Sequence, residues 1–401
     1  MNPTGLIHHP YRPPEGFDAP QPGVFKASTV FFPDVAALRS RDWRNKQGYS
    51  YGLQGTPGSF MLEERLCTLE GGRQCLLVPS GLAAIALVDM ALLKTGDEVL
   101  IPDNVYGPSK ALAEGELAAF GVSHQRYDPL RPQDLAARIG PRTRLVWLEA
   151  PGSVTMEFPD LPALVRICRT HGVTAALDNT WGAGIAFNPF DLGPDDTGQG
   201  ARLGVDLSVH ALTKYPSGGG DVLMGSVITR DEALHLRIKL THMRMGFGVA
   251  ANDVETLLRS LPSVALRYHA HDAAARQLAR WLQSRSEVAQ VLHPALEGAP
   301  GHAHWRALCG AQGAAAGLFS VVFRADIAPA RVDAFCDALR LFRIGYSWGG
   351  PVSLVVPYDI ATMRDPTVAA WPHGGVLVRF SVGLEAVEDL QADLAAALQA
   401  L

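Results

Sequence analysis

The sequence predicts an α/β protein with a large, mainly parallel sheet domain followed by a smaller α+β domain. Three observations carry this. Short, continuous apolar runs alternate with helical stretches over the first half of the chain, as in a parallel sheet covered on both faces. Long amphipathic helices follow from about residue 230, and a looser α+β section begins near 288. At 401 residues, 47% hydrophobic and 19% charged, the chain is long enough for two packed cores and too apolar to be disordered.

The elements read in order. Residues 1–50 are rich in proline and arginine, with little periodicity, and read as an arm that orders on a neighbouring surface. A helical pattern begins near residue 60 and stops at Gly71-Gly72. Strand-like runs follow at 74–78, 97–102, 143–149, 172–178, 205–209 and 222–228, most of them separated by helical segments. Further strands are read at 317–323 and 375–382. The change of domain falls in the long helical stretch, which divides the chain into 51–255 and 256–401.

Composition narrows the function. A net charge of −5 offers no footprint for nucleic acid or an anionic membrane. The five cysteines are scattered, without a CxxC pair, and read as reduced thiols. The first residues show no signal-peptide pattern, and the most apolar stretch, 76–93, is interrupted by Pro79, Ser80, Gly81 and Asp89; the cytoplasm is the expected compartment. The His269/His271 and His302/His304 pairs lack supporting ligands, so no metal site is expected.

One lysine stands out. Only six lysines occur among 35 basic residues, and Lys214 lies in "HALTKYPSGGGD", among apolar residues and glycines. In an open α/β sheet, ligands gather at the carboxyl ends of the strands. Four kinds of group converge there. "LLVPSGLAA" sets Gly81 and Leu82 at the start of a helix, whose free amides suit a phosphate. Asp178 ends the strand of "GVTAALDNTW"; Ser208, Thr213 and Lys214 lie in and just beyond that of "VDLSVHALTKY"; Tyr106 follows a third, in "IPDNVYGPS". These parts suit pyridoxal 5'-phosphate (PLP). Its aldehyde takes a lysine amine, its phosphate takes N–H and hydroxyl donors, its ring nitrogen takes a carboxylate, and its face takes an aromatic ring.

From about residue 20 to the end, the chain resembles the Cys/Met-metabolism transsulfuration family of PLP enzymes. The resemblance is carried by "SVHALTKYPSGGGDVLMGS", "TLEGGRQCLLVPSGLAA", "LDNTWGAG", "HPAL", "GYSWGG" and "VRFSVGLE". "PGSVTME" (151–157) and Tyr346–Gly350 are most similar to its β-eliminating branch; γ-acting members carry a glutamate where Tyr346 stands. The resemblance implies PLP fold type I with a seven-stranded sheet, and a carbon–sulfur lyase converting L-cystathionine to homocysteine, pyruvate and ammonia in the transsulfuration route of methionine biosynthesis. A γ-acting enzyme, a broad cysteine-S-conjugate β-lyase and a non-catalytic binding protein are the alternatives.

The resemblance also implies roles. Lys214 holds PLP and moves the Cα proton, Asp178 pairs with the ring nitrogen, and Tyr106 stacks on the ring. Gly81, Leu82, Ser208 and Thr213 bind the phosphate. Arg379 clamps the substrate carboxylate, beside Ser347, Trp348 and Tyr346. Tyr51 reaches a neighbouring subunit's site, which implies at least a dimer and usually a tetramer. Leu53 departs from the pattern, because the family places a phosphate-binding arginine there; Arg41, Arg44 and Lys46 are candidates to compensate. The 187–205 loop is longer than expected and reads as a surface insertion.

Overall fold

The computed structural model describes residues 14–16, 19–195 and 202–401. Residues 1–13, 17 and 18 of the predicted 1–50 arm and 196–201 of the 187–205 loop lie outside the described residues.

A seven-stranded sheet forms the large domain. In chain order its strands are β1 (Gln74–Val78), β2 (Glu98–Pro102), β3 (Ser123–Tyr127), β4 (Thr143–Glu149), β5 (Thr174–Asp178), β6 (Leu207–Ala211) and β7 (Gly225–Thr229). The spatial order is β1-β7-β6-β5-β4-β2-β3. β7 is antiparallel to both its neighbours, and the other neighbouring pairs are parallel. The six runs read from sequence each fall on a strand. β3 was not read, because "SHQRY" sits at the sheet edge and buries only Tyr127 fully.

Local chemistry sets the helix starts that matter for the site. Thr56 and Ser59 form a capping box at the start of helix Pro57–Glu70, which ends on Gly71 in the left-handed region. Ser80 caps helix Gly81–Leu92: its hydroxyl accepts from Ala83 N–H at 3.0 Å, a contact worth about 1 kcal/mol. The sheet is packed on both faces. Leu76, Val88, Ile101, Trp147 and Val209 share one core, and Leu66, Leu100, Leu148, Leu177 and Phe158 share the other.

A second sheet, in the order β10-β11-β12-β9-β8, belongs to the C-terminal part. Its strands are β8 (Val288–Leu292), β9 (Leu318–Phe323), β10 (Arg343–Ile344), β11 (Leu354–Tyr358) and β12 (Leu377–Ser381). Helix Val264–Gln283 joins the two parts. Val264 and Tyr268 pack in the large core, while Ala275, Leu278 and Leu282 pack with Phe319, Phe335 and Phe380 in the small one.

The 187–205 loop corrects its reading as a surface insertion. Phe187, Phe190, Leu192, Leu203 and Val205 are buried in the large core. Burying these side chains recovers hydrophobic free energy that a solvated loop forgoes, so both described arms fold inward.

Candidate active site

Lys214 leaves the sheet three residues after β6. The backbone around it is pinned: Lys214 N–H donates to Ala211 O at 3.0 Å, and Gly218 N–H donates to Lys214 O at 3.0 Å. The buried Tyr215 anchors the turn from beneath. Its hydroxyl accepts from Gly317 N–H at 2.7 Å, and its carbonyl accepts from Arg267 at 2.7 Å. Gly349 has φ +78°, and a Cβ there would lie 2.9 Å from Tyr215 N and 3.1 Å from Lys214 C. The absence of that atom lets the 346–350 loop lie on the lysine turn.

The Lys214 side chain is therefore held from the C-terminal domain. Its Nζ donates to Ser347 Oγ at 2.7 Å and lies 5.4 Å from the Trp348 ring centroid. Burial pushes its pKa down to about 8, Arg379 adds to the effect, and Asp178 opposes it. In the apoprotein, competitive acetylation of Lys214, read by peptide mass mapping, should show a midpoint near pH 8. An ordinary lysine midpoint near 10.4 would contradict this environment.

Two carboxylates end adjacent strands. Asp178 on β5 is the register partner of Glu149 on β4. Asp178 Oδ1 accepts from Thr180 N–H at 3.0 Å, and burial raises its pKa against those Thr180 bonds. Among the described residues no cation lies within ion-pair distance of it. Glu149 accepts from Tyr106 N–H at 2.8 Å; burial, and then the neighbouring Asp178, push its pKa well up. Glu149 thus fastens the residue that presents the aromatic ring. The sequence reading missed it, although it ends "TRLVWLE" as Asp178 ends its own strand.

Arg379 sits on β12 and is largely buried, with its guanidinium 5.3 Å from the Tyr358 ring centroid. Among the described residues no carboxylate lies within ion-pair distance. Burial lowers its pKa, and Tyr358, Tyr346 and Tyr106 oppose this. A desolvated guanidinium without a counter-ion is costly, and a carboxylate brought to it would offset that cost.

The Ser80–Leu82 turn presses on the end of β6, and a Cβ at Gly81 would come within 2.5 Å of Ala211 Cβ. Thr213 Oγ1 makes only long contacts, 3.4 and 3.3 Å, with the Met224 backbone.

The structure thus brings Lys214, Ser347, Trp348, Asp178, Tyr106 and Arg379 into one site, with Gly81, Leu82 and Thr213 at the same sheet edge. Tyr346 is exposed at its rim. Two expected residues lie elsewhere. Ser208 is fully buried inside β6 and donates to Glu70 at 2.5 Å, in a network with His210 and Asn179, so the reading of Ser208 as a phosphate ligand is corrected. Leu177, its register partner, faces the large core, whereas Asp178 is one residue on and faces the opposite side. Tyr51 lines a separate cavity of about 800 Å³ with Leu53, Gln54, Lys239 and His242. Of the three residues considered as substitutes for an arginine at Leu53, Lys46 is bound to Glu63 at 2.9 Å and Glu64 at 2.7 Å, Arg41 donates to Leu38 O, and Arg44 lies over Trp43.

The family model of the Cys/Met metabolism PLP-dependent enzymes matches residues 3–399. The chain belongs to this family. Among its curated relatives, cystathionine β-lyase of Bordetella avium is 37% identical over 98% of this chain and 96% of its own. Cystathionine β-lyase MetC of Escherichia coli is 34% identical over 92% and 91%. Among solved structures, cystathionine γ-synthase of Xanthomonas oryzae in complex with cystathionine superposes with a TM-score of 0.83. It is 28% identical and covers 95% of this chain and 93% of its own.

PLP is the family's cofactor, and the residues present fit it. The Gly81 turn admits no side chain and opens a helix whose first amides lack intrahelical acceptors, Asp178 is a half-buried carboxylate with no cation within ion-pair distance among the described residues, and Lys214 carries an amine made easier to deprotonate by burial.

Proposed function

We propose that this member of the family is a PLP-dependent carbon–sulfur lyase that converts L-cystathionine to homocysteine, pyruvate and ammonia. The observation that carries the reading is the pairing of a buried Arg379, which has no carboxylate within ion-pair distance among the described residues, with a Lys214 of lowered pKa. One group takes an α-carboxylate and the other a Cα proton.

When bound, PLP supplies an electron sink for the pair released at Cα. The chain's residues do the rest. Arg379 grips the substrate carboxylate as a fork, which fixes the orientation of the Cα–H bond. Lys214 Nζ would anchor the cofactor and, as a free amine, would take the Cα proton. Ser347 Oγ holds that nitrogen, and Trp348 shields it. Asp178 would hold the cofactor's ring nitrogen and favour its protonated form, and Tyr106, fastened by Glu149, would lie against the ring. Loss of the Cα proton to Lys214 leaves the C–H electron pair to form the Cα–Cβ double bond as the Cβ–S bond breaks. The sulfur leaves as homocysteine once protonated, and the three-carbon fragment hydrolyses to pyruvate and ammonia.

Tyr346 supports β- over γ-elimination, since it stands where γ-acting members carry a glutamate; the relatives named as cystathionine β-lyases support the same choice. The same reading places Tyr51 in a neighbouring subunit's site, which makes the active unit at least a dimer, and a tetramer by family habit. It also divides the chain at 51–255 and 256–401 and assigns it to the cytoplasm. Among the described residues no helix is long and apolar enough to cross a membrane.

The test is the 2-oxo acid formed from L-cystathionine by PLP-loaded protein. Pyruvate with homocysteine is expected. 2-Oxobutyrate with cysteine would overturn the β-lyase reading in favour of γ-chemistry.

A further inference from the structure

A buried charge cluster ties the loop that carries Tyr106 to the segment between β11 and β12, and the chemistry above does not use it. Arg364 donates through Nε to Asp103 Oδ2 at 2.6 Å and through its other arm to Glu157 Oε2 at 2.9 Å. Asp365 N–H donates to the second oxygen of Asp103 at 3.0 Å. Asn104 donates to the same oxygen of Glu157 at 2.8 Å, and Thr155 donates to it at 3.0 Å. Arg364, Asp103 and Glu157 are all buried.

The positions of these residues give the cluster a purpose. Asp103 and Asn104 lie just before Tyr106, and Glu157 closes the "PGSVTME" loop. Arg364 belongs to the strap that leads into β12, the strand of Arg379. The strap is also held by Arg131, which donates to Val368 O at 2.9 Å, and by Lys110, which donates to Met363 O at 3.4 Å. Two carboxylates converge on one guanidinium; Arg126 lies 3.4 Å from Asp103 but closer, 3.1 Å, to Glu114, so Arg364 is the nearest counter-charge of Asp103 and the cation paired with Glu157. Removing one member leaves a buried charge unpaired, and its relief requires the loop to open toward water.

We infer that Arg364 is a positioning residue for the lyase reaction. By pinning Asp103 and Glu157 it holds the Tyr106 loop at a set distance from the strand that carries Arg379. Tyr106 is thereby fixed at two points, by Glu149 at its own N–H and by Arg364 through Asp103. The inference rests on the proposed role of Tyr106 at the cofactor.

The test is a double-mutant cycle between Arg364→Gln and Tyr106→Ala in the full-length holoenzyme, read by PLP dissociation and by kcat and KM for L-cystathionine. Arg364→Gln should weaken PLP retention by about tenfold where Tyr106 is present, and by less than twofold in the Tyr106→Ala background. Arg364→Lys, which keeps the charge but loses the fork, should recover part of the loss. An equal factor in both backgrounds would overturn the inference, because the cluster would then support the fold without acting through Tyr106. Unchanged retention in Arg364→Gln would overturn it as well. If Arg364→Gln fails to fold, Arg364→Lys and Asp103→Asn enter the same cycle, with the same coupled or additive outcomes deciding. Wild-type protein that retains PLP yet forms no pyruvate would defeat the lyase reading alone, since the cycle is then scored on PLP retention.

Discussion

Replacing Lys214 by alanine is expected to lower pyruvate formation from L-cystathionine by at least about 10³-fold. On the proposed mechanism the substitution removes both the amine that holds the cofactor and the base that takes the Cα proton; the second loss alone is worth about 10²–10⁴. The fold should survive. Lys214 Nζ makes one hydrogen bond, to Ser347, and its burial disfavours its own charged form. The measurement is kcat by 2-oxo acid release, with circular dichroism to verify folding. Added methylamine should restore part of the rate, because a small amine can occupy the vacated volume and accept the proton. A Lys214→Ala protein that turns over normally would remove the lysine from the mechanism.

Arg379→Met should raise KM for L-cystathionine by about 10- to 150-fold, the equivalent of the roughly 1.5–3 kcal/mol of a charge-assisted hydrogen bond. The same change should raise the melting temperature of the apoprotein. Arg379 is a buried guanidinium without a carboxylate within ion-pair distance among the described residues, so an apolar side chain of similar volume relieves a desolvation cost. Opposite signs for affinity and stability are the mark of a group held for a ligand. Arg379→Met that lowers stability and leaves KM unchanged would make Arg379 a structural residue.

The elements that sequence could reveal are those whose local pattern is unambiguous. β1, β2, β4, β5, β6 and β7 are short apolar runs because both faces of a parallel sheet are covered, and such runs survive inspection without an alignment. "SHQRY" has no such pattern. It is an edge strand with one neighbour, and four of its five residues are polar and half-buried or exposed, so no apolar run marks it. The short β10 and the exposed part of β8 are hidden for the same reason.

The site follows the same division. Lys214, Asp178 and the Ser80-Gly81 turn were readable because each ends an apolar run, where a strand delivers its residues to the ligand edge. Glu149 has that signature too, since it ends the apolar run of β4 beside Asp178. Ser208 shows the opposite failure. It lies in the correct strand, but strand residues alternate between faces, and the fixed pairing with Leu177 turns its hydroxyl toward Glu70.

By itself, then, the sequence determined the fold class, the cofactor and six of the seven strands of the large sheet in their order along the chain. These rest on local patterns and on side-chain chemistry that only a few residue types can supply. The tertiary structure decided how the strands are ordered in space, which face each side chain takes, and which distant groups meet. Arg364 and Asp103, 261 residues apart, form a 2.6 Å ion pair that no local pattern announces. Such contacts are set by the packing of one domain on the other. The free energy of a buried charge depends on what the fold places beside it, and sequence spacing carries no record of that.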